Sequence, residues 1–276
     1  MSALRRFAGS PDGVVGAGLL LSFAIVAVFA PVAYPEDPLS IVGGPLVRPF
    51  VDWSTPLGTD RLGRDLLAGL LHGARTSMLV GLFAALVAIL LGAAVGVAAG
   101  LSGGWIDESL MRITEAFQTV PGFLLALAFI SVVGPSLPMV VFAIALGAWT
   151  GPARVVRAEV LSIRERDFVA AARVIGMHPV EIAWREVLPH ALPPVVSLAS
   201  VIVAGAILTE AALSFLGLGD PNRVTWGGLI AEGRTVLRSA PYLSIVPGLA
   251  LLSTVLAVHL TGEGIVAALA GRRSFQ

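Results

Sequence analysis

The sequence predicts an all-α integral membrane protein with about six membrane-spanning helices. Three observations carry this. Of 276 residues, 56% are hydrophobic and only 13% charged, about half the charged share of a water-facing domain, so much of the surface must face lipid. The apolar residues fall in charge-free windows long enough for a helix of about 20 residues to cross a bilayer. No window carries a charge near its middle, where one costs about 2.5–3.5 kcal/mol on insertion scales.

The first window runs from Gly13 to Pro35. It predicts a cytoplasmic N-terminus over 1–13 and a first span over 14–33. Arg5 and Arg6 ahead of it could open a secretory signal. The window is longer than a signal's apolar region, however, and Pro31 sits inside the candidate cleavage site, so the segment reads as a retained span. Residues 34–73 form an outer loop ending in an interfacial helix. Leu62, Leu66, Leu67, Leu70 and Leu71 share one face of that helix, Asp60, Arg61, Arg64 and Asp65 mark its polar start, and Thr59 or Asp60 caps it.

Five more spans follow, near 78–100, 120–133, 139–153, 191–209 and 241–262. The charge-free run from Ala116 to Ala153 is too long for one helix, and Gly134-Pro135 and Pro138 divide it into two. Pro121 and Gly122 open the third span, either as a tolerated first turn or as a kink useful for gating. Residues 264–276 are the cytoplasmic C-terminus.

Arg distribution sets the orientation. Eleven of the 18 basic residues (Arg5, Arg6, Arg112, Arg154, Arg157, Arg164, Arg166, Arg173, Arg185, Arg272 and Arg273) fall on the side of the N-terminus. The other seven fall opposite, so both termini are expected inside. Glu210 lies at the outer end of the fifth span, facing either a translocation path or the water interface.

Composition also excludes functions. A net charge of zero argues against a nucleic-acid partner. The absence of Cys rules out disulfides and thiolate chemistry. His72, His178, His190 and His259 have no metal-ligand spacing. Without a single Lys there is no phosphate-cradling loop, so the chain is expected to bind no nucleotide and to catalyse no reaction itself. The missing mid-membrane acid or base speaks against the main rival, a secondary carrier driven by an ion gradient. A membrane scaffold without transport is a third class that hydropathy leaves open.

The inner segment from Arg154 to His190 is the most informative. It is charged, yet Leu161, Phe168, Ala171, Ala172 and Ile175 fall on one helical face. Gly176 follows as a C-terminal cap, and Pro179 can start a second short helix lined by Val180, Ala183, Trp184 and Val187. Leu188-Pro189 stops it at the membrane. Helix, glycine turn, helix, proline is a structured hairpin, which either packs on its own membrane helices or docks another protein.

At this loop the sequence resembles the membrane permeases of binding-protein-dependent ABC importers. Ala171-Ala172-Arg173-Val174-Ile175-Gly176, followed by Leu188-Pro189, is similar to that family's coupling motif. Two departures stand out: Ala170 where the family has Glu, and Glu186 where it has a hydrophobic residue. Leu57 to Asp65, Gly73 to Ser77, Arg157 to Leu161, Leu188 to Pro193, Glu210 to Gly219 and Trp226-Gly227 look like the C-type permease of dipeptide and oligopeptide importers, the peptide/nickel family.

The resemblance implies a type I importer permease fold in the cytoplasmic membrane of a prokaryote. It implies that 74–263 is the permease core and that 154–190 docks on a cytoplasmic ATPase. In that reading Glu165, Phe168, Ala171, Ala172, Ile175 and Gly176 carry the coupling. It also implies a second, B-type permease, ATPase subunits that hold ATP and Mg, and an extracytoplasmic substrate-binding protein, with no cofactor in this chain. Asp60, Arg64 and Asp65 are either contacts for that binding protein or a local cap with surface ion pairs. Nickel-complex and glutathione permeases of the same type are the alternatives for substrate.

Overall fold

A computed structural model describes residues 3–270, and among these every regular element is a helix. A short helix α1 (Ala3–Ala8) leads into α2 (Pro11–Ala33). Ser10 caps α2, its Oγ accepting the Gly13 N–H at 3.3 Å.

The interfacial helix and the second span are one element, α3 (Leu66–Ser102). This corrects the expected separate interfacial helix. No Pro interrupts the run, so Leu66, Leu67, Leu70 and Leu71 form the first turns of the span itself. The cap is neither Thr59 nor Asp60 but Asp65, whose Oδ1 accepts the Leu67 N–H at 2.9 Å.

The third and fourth spans are broken. Helices α4 (Gly104–Gln118) and α5 (Gly122–Val133) meet at an 81° bend. Pro121 sits at the N-cap of α5, where the missing N–H ends the ladder. At about 18 Å, α5 is too short to cross a bilayer alone. Helices α6 (Leu137–Ala148) and α7 (Thr150–Ile163) meet at 47°.

Then come α8 (Asp167–Val174), α9 (Pro179–Ile182), a π turn at Ala183–Val187, and α10 (Leu188–Phe215). Finally α11 (Trp226–Arg234) precedes α12 (Tyr242–Ala270). Four helices (α2, α3, α10 and α12) are long and apolar enough to cross a membrane singly, and the two bent pairs bring the total to as many as six.

Small residues let the helices close on one another. Gly92, Gly96 and Gly100 recur every four residues on α3 and face α7. A Cβ at Gly96 would lie 2.5 Å from the Ala153 carbonyl, and one at Gly100 would lie 2.6 Å from Val160 Cγ1. Membrane helices associate through such close backbone approach because lipid offers no hydrophobic drive between them. Gly13 of α2 meets Gly264 of α12 in the same way.

These contacts fix two ends. The start of α2, the end of α12, the end of α3 and the α8–α9 hairpin share one end. Arg164 Nη1 there donates to the Gly100 carbonyl at 2.9 Å. Residues 34–65, the turn before α6, the segment after α10 and α11 share the other. At that end the Leu137 N–H donates to Asp220 Oδ2 at 3.0 Å.

Candidate functional site

The hairpin end is built from apolar packing. Val156, Val160 and Ile163 of α7, Val169 and Ala172 of α8, and Val187, Ala191 and Val195 form one buried cluster, with Phe168 and Met177 against it. The Phe168 ring lies 5.1 Å from that of His190, tying α8 to the start of α10. After α8, Gly176 takes φ +79°, and the Met177 N–H closes back on the Ala172 carbonyl at 3.1 Å. This is the glycine C-terminal turn that the sequence predicted.

The two faces of α8 differ. Val169 and Ala172 are buried, whereas Ala170, Ala171 and Arg173 are exposed. Val174 and Ile175 are 86% and 76% exposed. Of the residues expected at the coupling contact, Ala171, Ile175 and Gly176 face outward. Glu165 is exposed too and pairs with Arg164 at 3.1 Å. Ala172 and Phe168 instead face the hairpin's own stem, which corrects their expected orientation. Periodicity places Phe168, Ala171, Ala172 and Ile175 on one face because it cannot tell which side of the helix α7 will cover. Val174 escaped that count, although setting Val169 and Ala172 on the buried side would have exposed it.

A bidentate ion pair braces the stem. Arg157 of α7 donates from Nε and Nη2 to Asp107 of α4 at 2.5 and 2.7 Å.

The loop end is held by polar bonds between distant residues. Thr59, fully buried, donates to the Gly44 carbonyl at 2.7 Å and accepts the Val47 N–H at 2.9 Å. The Tyr242 hydroxyl bonds the carbonyls of Val47 and Thr59 at 2.9 and 3.2 Å. Asp60 is buried, and its Oδ1 accepts the N–H groups of Leu62 and Arg64 at 2.8 and 2.9 Å. Asp65 is also buried and spends its side chain on the α3 cap; burial raises its carboxyl while the Leu67 and Ala68 N–H groups oppose that rise. Arg64 is partly exposed and reaches Glu232 of α11 at 3.7 Å. Burial lifts the Glu232 carboxyl, the neighbouring Asp60 lifts it further, and Arg64 pulls it back in part.

Asp60 and Asp65 are therefore bonded inside the chain, as a local cap requires. The surface this loop presents is instead a tip of Phe50, Val51 and Trp53, with the two rings 6.4 Å apart.

Glu210 lies at neither of its expected places. It is 1% exposed, with Oε2 accepting from Ser77 Oγ at 2.9 Å and Oε1 from Ser214 Oγ at 2.7 Å. Ser77 Oγ in turn accepts the Trp226 N–H at 3.3 Å. Trp226 Nε1 donates to the Leu70 carbonyl at 3.0 Å, and its ring meets Phe23 of α2 edge-on at 6.0 Å. One carboxylate thus links α3, α10 and the start of α11.

Bent helix pairs set among apolar crossings, with a hairpin folded back on their ends, are the type I fold of ABC importer permeases. A chain of the MetNI methionine ABC transporter in an inward-facing conformation superposes with TM-score 0.62 at 19% identity, covering 74% of this chain and 97% of that one. A chain of an amino acid ABC transporter with histidines gives TM-score 0.53 at 18% identity, over 75% and 94%.

Residues 88–274 match the family described as "Binding-protein-dependent transport system inner membrane component", and the chain belongs to it. It is 41% identical over 261 residues, 92% of this chain and 87% of the relative, to the probable peptide ABC transporter permease protein y4tQ of Sinorhizobium fredii. It is 36% identical over 269 residues, 95% and 86%, to the dipeptide transport system permease protein DppC of Alkalihalophilus pseudofirmus. To the glutathione transport system permease protein GsiD of Salmonella typhimurium it is 35% identical over 268 residues, 95% and 86%. The chain is a membrane permease component of an ABC importer, a non-catalytic subunit.

Proposed function

We propose that this chain is one of two permeases in an ATP-driven, binding-protein-dependent importer of di- or oligopeptides. The peptide substrate rests on relatives named for peptide and dipeptide transport. One observation carries the coupling role. The hairpin buries Val169 and Ala172 in its own stem yet leaves Ala171, Val174 and Ile175 uncovered beside a rigid glycine turn. An apolar face on an otherwise charged segment, already fixed in shape, suits a cleft in a partner. That partner is a cytoplasmic ATPase subunit, which supplies the ATP and Mg sites.

The second permease completes the pathway within the lipid. The binding protein meets the loop end through the Phe50–Trp53 tip, with Asp60, Arg64 and Asp65 holding that loop in shape. The excess of Arg at the hairpin end favours both termini inside, at the cytoplasmic membrane of a prokaryote. Glutathione is the second substrate reading, favoured by relatives named for it.

The test is uptake into proteoliposomes holding the complete assembly. Dialanine is expected to accumulate only with internal ATP and the external binding protein. Accumulation driven by a proton gradient without ATP overturns the reading. Topology is checked separately by Ser162→Cys and Asn222→Cys with an impermeant thiol reagent in intact cells: position 222 is expected to label and position 162 to stay dark.

A further inference from the structure

Helices α2, α3, α10 and α12 line an open cavity of about 720 Å³ whose lining residues all lie within the membrane-crossing segments. That volume is within the range of small-molecule sites, about 300–1,000 Å³. Its lining on α10 runs from Val196 to Ile207, about 16 Å of helix. The walls are almost entirely aliphatic. The exceptions are the hydroxyls of Ser200 and Thr261 and, at the loop end, the guanidinium of Arg75.

Thr261 already donates to the Ala257 carbonyl at 2.7 Å. Arg75 is exposed and makes no ion pair or hydrogen bond among the described residues. A cation at the edge of hydrocarbon without a counter-charge needs an anion or water to offset the cost of its position.

We propose that this cavity seats an acyl chain of an anionic phospholipid, with the Arg75 guanidinium on its headgroup phosphate. The lipid comes from the leaflet on the loop side, the outer one in the orientation proposed above. Three features select this occupant. The cavity lies at a depth where lipid tails are the surrounding solvent. Two hydroxyls on otherwise aliphatic walls leave most of a peptide's amides without partners, so the cavity suits an acyl chain better than a peptide because buried polar groups need partners. Its one charge is positive and stands at the end where a headgroup lies.

The chain has no Cys, so single reporters are clean. Val203→Cys places a fluorophore on the cavity wall, and Ile25→Cys, on the lipid-facing side of α2, serves as control. The assembled transporter is placed in nanodiscs containing brominated phosphatidylglycerol or brominated phosphatidylcholine at equal mole fraction. At position 203, quenching should favour phosphatidylglycerol by about fivefold, the worth of one guanidinium near an anionic surface. Position 25 should show no preference. Arg75→Gln should abolish the preference, and Arg75→Lys should retain most of it.

Equal quenching by the two lipids at position 203 overturns the proposal, as does a preference that survives Arg75→Gln. Quenching at position 25 but by neither lipid at position 203 also overturns it, and assigns the cavity to a helix of the second permease. Loss of quenching on adding dialanine assigns it to the substrate path instead. Only the dialanine arm rests on the peptide reading of the function; the lipid and Arg75 arms do not depend on it.

Discussion

The loop end and the hairpin end of this molecule are stabilised by opposite means. At the loop end, long-range hydrogen bonds dominate: Ser77 to Glu210, Tyr242 to Thr59, Trp226 to Leu70. The buried Thr59, Asp60, Asp65 and Glu210 side chains there all have partners inside the chain, so the loop keeps its shape without help. At the hairpin end the packing is aliphatic and one-sided. The stem covers one face of α8 and leaves the other, with Val174 and Ile175, to something else. Burying polar atoms demands complete internal pairing, whereas an apolar face can wait for a partner at little cost to the fold. The difference is what the proposed docking of the hairpin end rests on.

The largest effect is expected where that loop-end pairing is most complete. Glu210→Ala leaves the Ser77 and Ser214 hydroxyls without their acceptor and opens a cavity, a loss of about 3 kcal/mol or more. Glu210→Gln keeps the shape and should lose less. Thermal unfolding of the purified protein, followed by light scattering, ranks the two. Equal stability of Glu210→Ala and the parent would show that the loop end does not depend on this link.

At the hairpin end, neighbouring residues should behave oppositely. Ala172→Trp forces a ring into the stem and should cost about 1–3 kcal/mol of stability. Ala171→Trp, on the open face, should leave stability unchanged yet prevent co-purification of the ATPase. If both variants bound ATPase normally, the open face would not be the docking surface. Gly176→Val places a β-branched residue at positive φ, a strain of about 1–2 kcal/mol, and should lower uptake more than it lowers the unfolding temperature.

A smaller loss is expected for Asp65→Ala, which removes the cap of α3, at about 1 kcal/mol. Trp53→Ala alters only the exposed tip and should weaken binding-protein association in a pull-down without changing the unfolding temperature.

The smallest prediction concerns pH. The Glu232 carboxyl is raised above its ordinary 4.5 by burial and by Asp60. Because its folded value is the higher one, its contribution to stability is greatest below the unfolded value and falls as pH rises through that window. Glu232→Gln should therefore flatten the dependence of the unfolding temperature on pH between about 4.5 and neutrality. An unchanged slope would place the pH sensitivity elsewhere.

The sequence by itself determined the membrane character, the apolar windows that became α2, α3, α10 and α12, and the hairpin with its turn at Gly176. Hydropathy, helical period and glycine's tolerance of positive φ are properties of a residue and its near neighbours, so they can be read along the chain. The Gly92, Gly96, Gly100 stripe is legible in the same way, as small residues four apart. The tertiary structure decided the rest. It fused the expected interfacial helix into α3, turned Ala172 inward, and bent α4 against α5 and α6 against α7. It also gave Asp60, Asp65 and Glu210 their hydrogen-bond partners inside the chain. A carboxylate's role depends on what stands opposite it, and Ser77 stands 133 residues from Glu210. No local pattern encodes a meeting across that distance; only the packing of α3 against α10 brings it about.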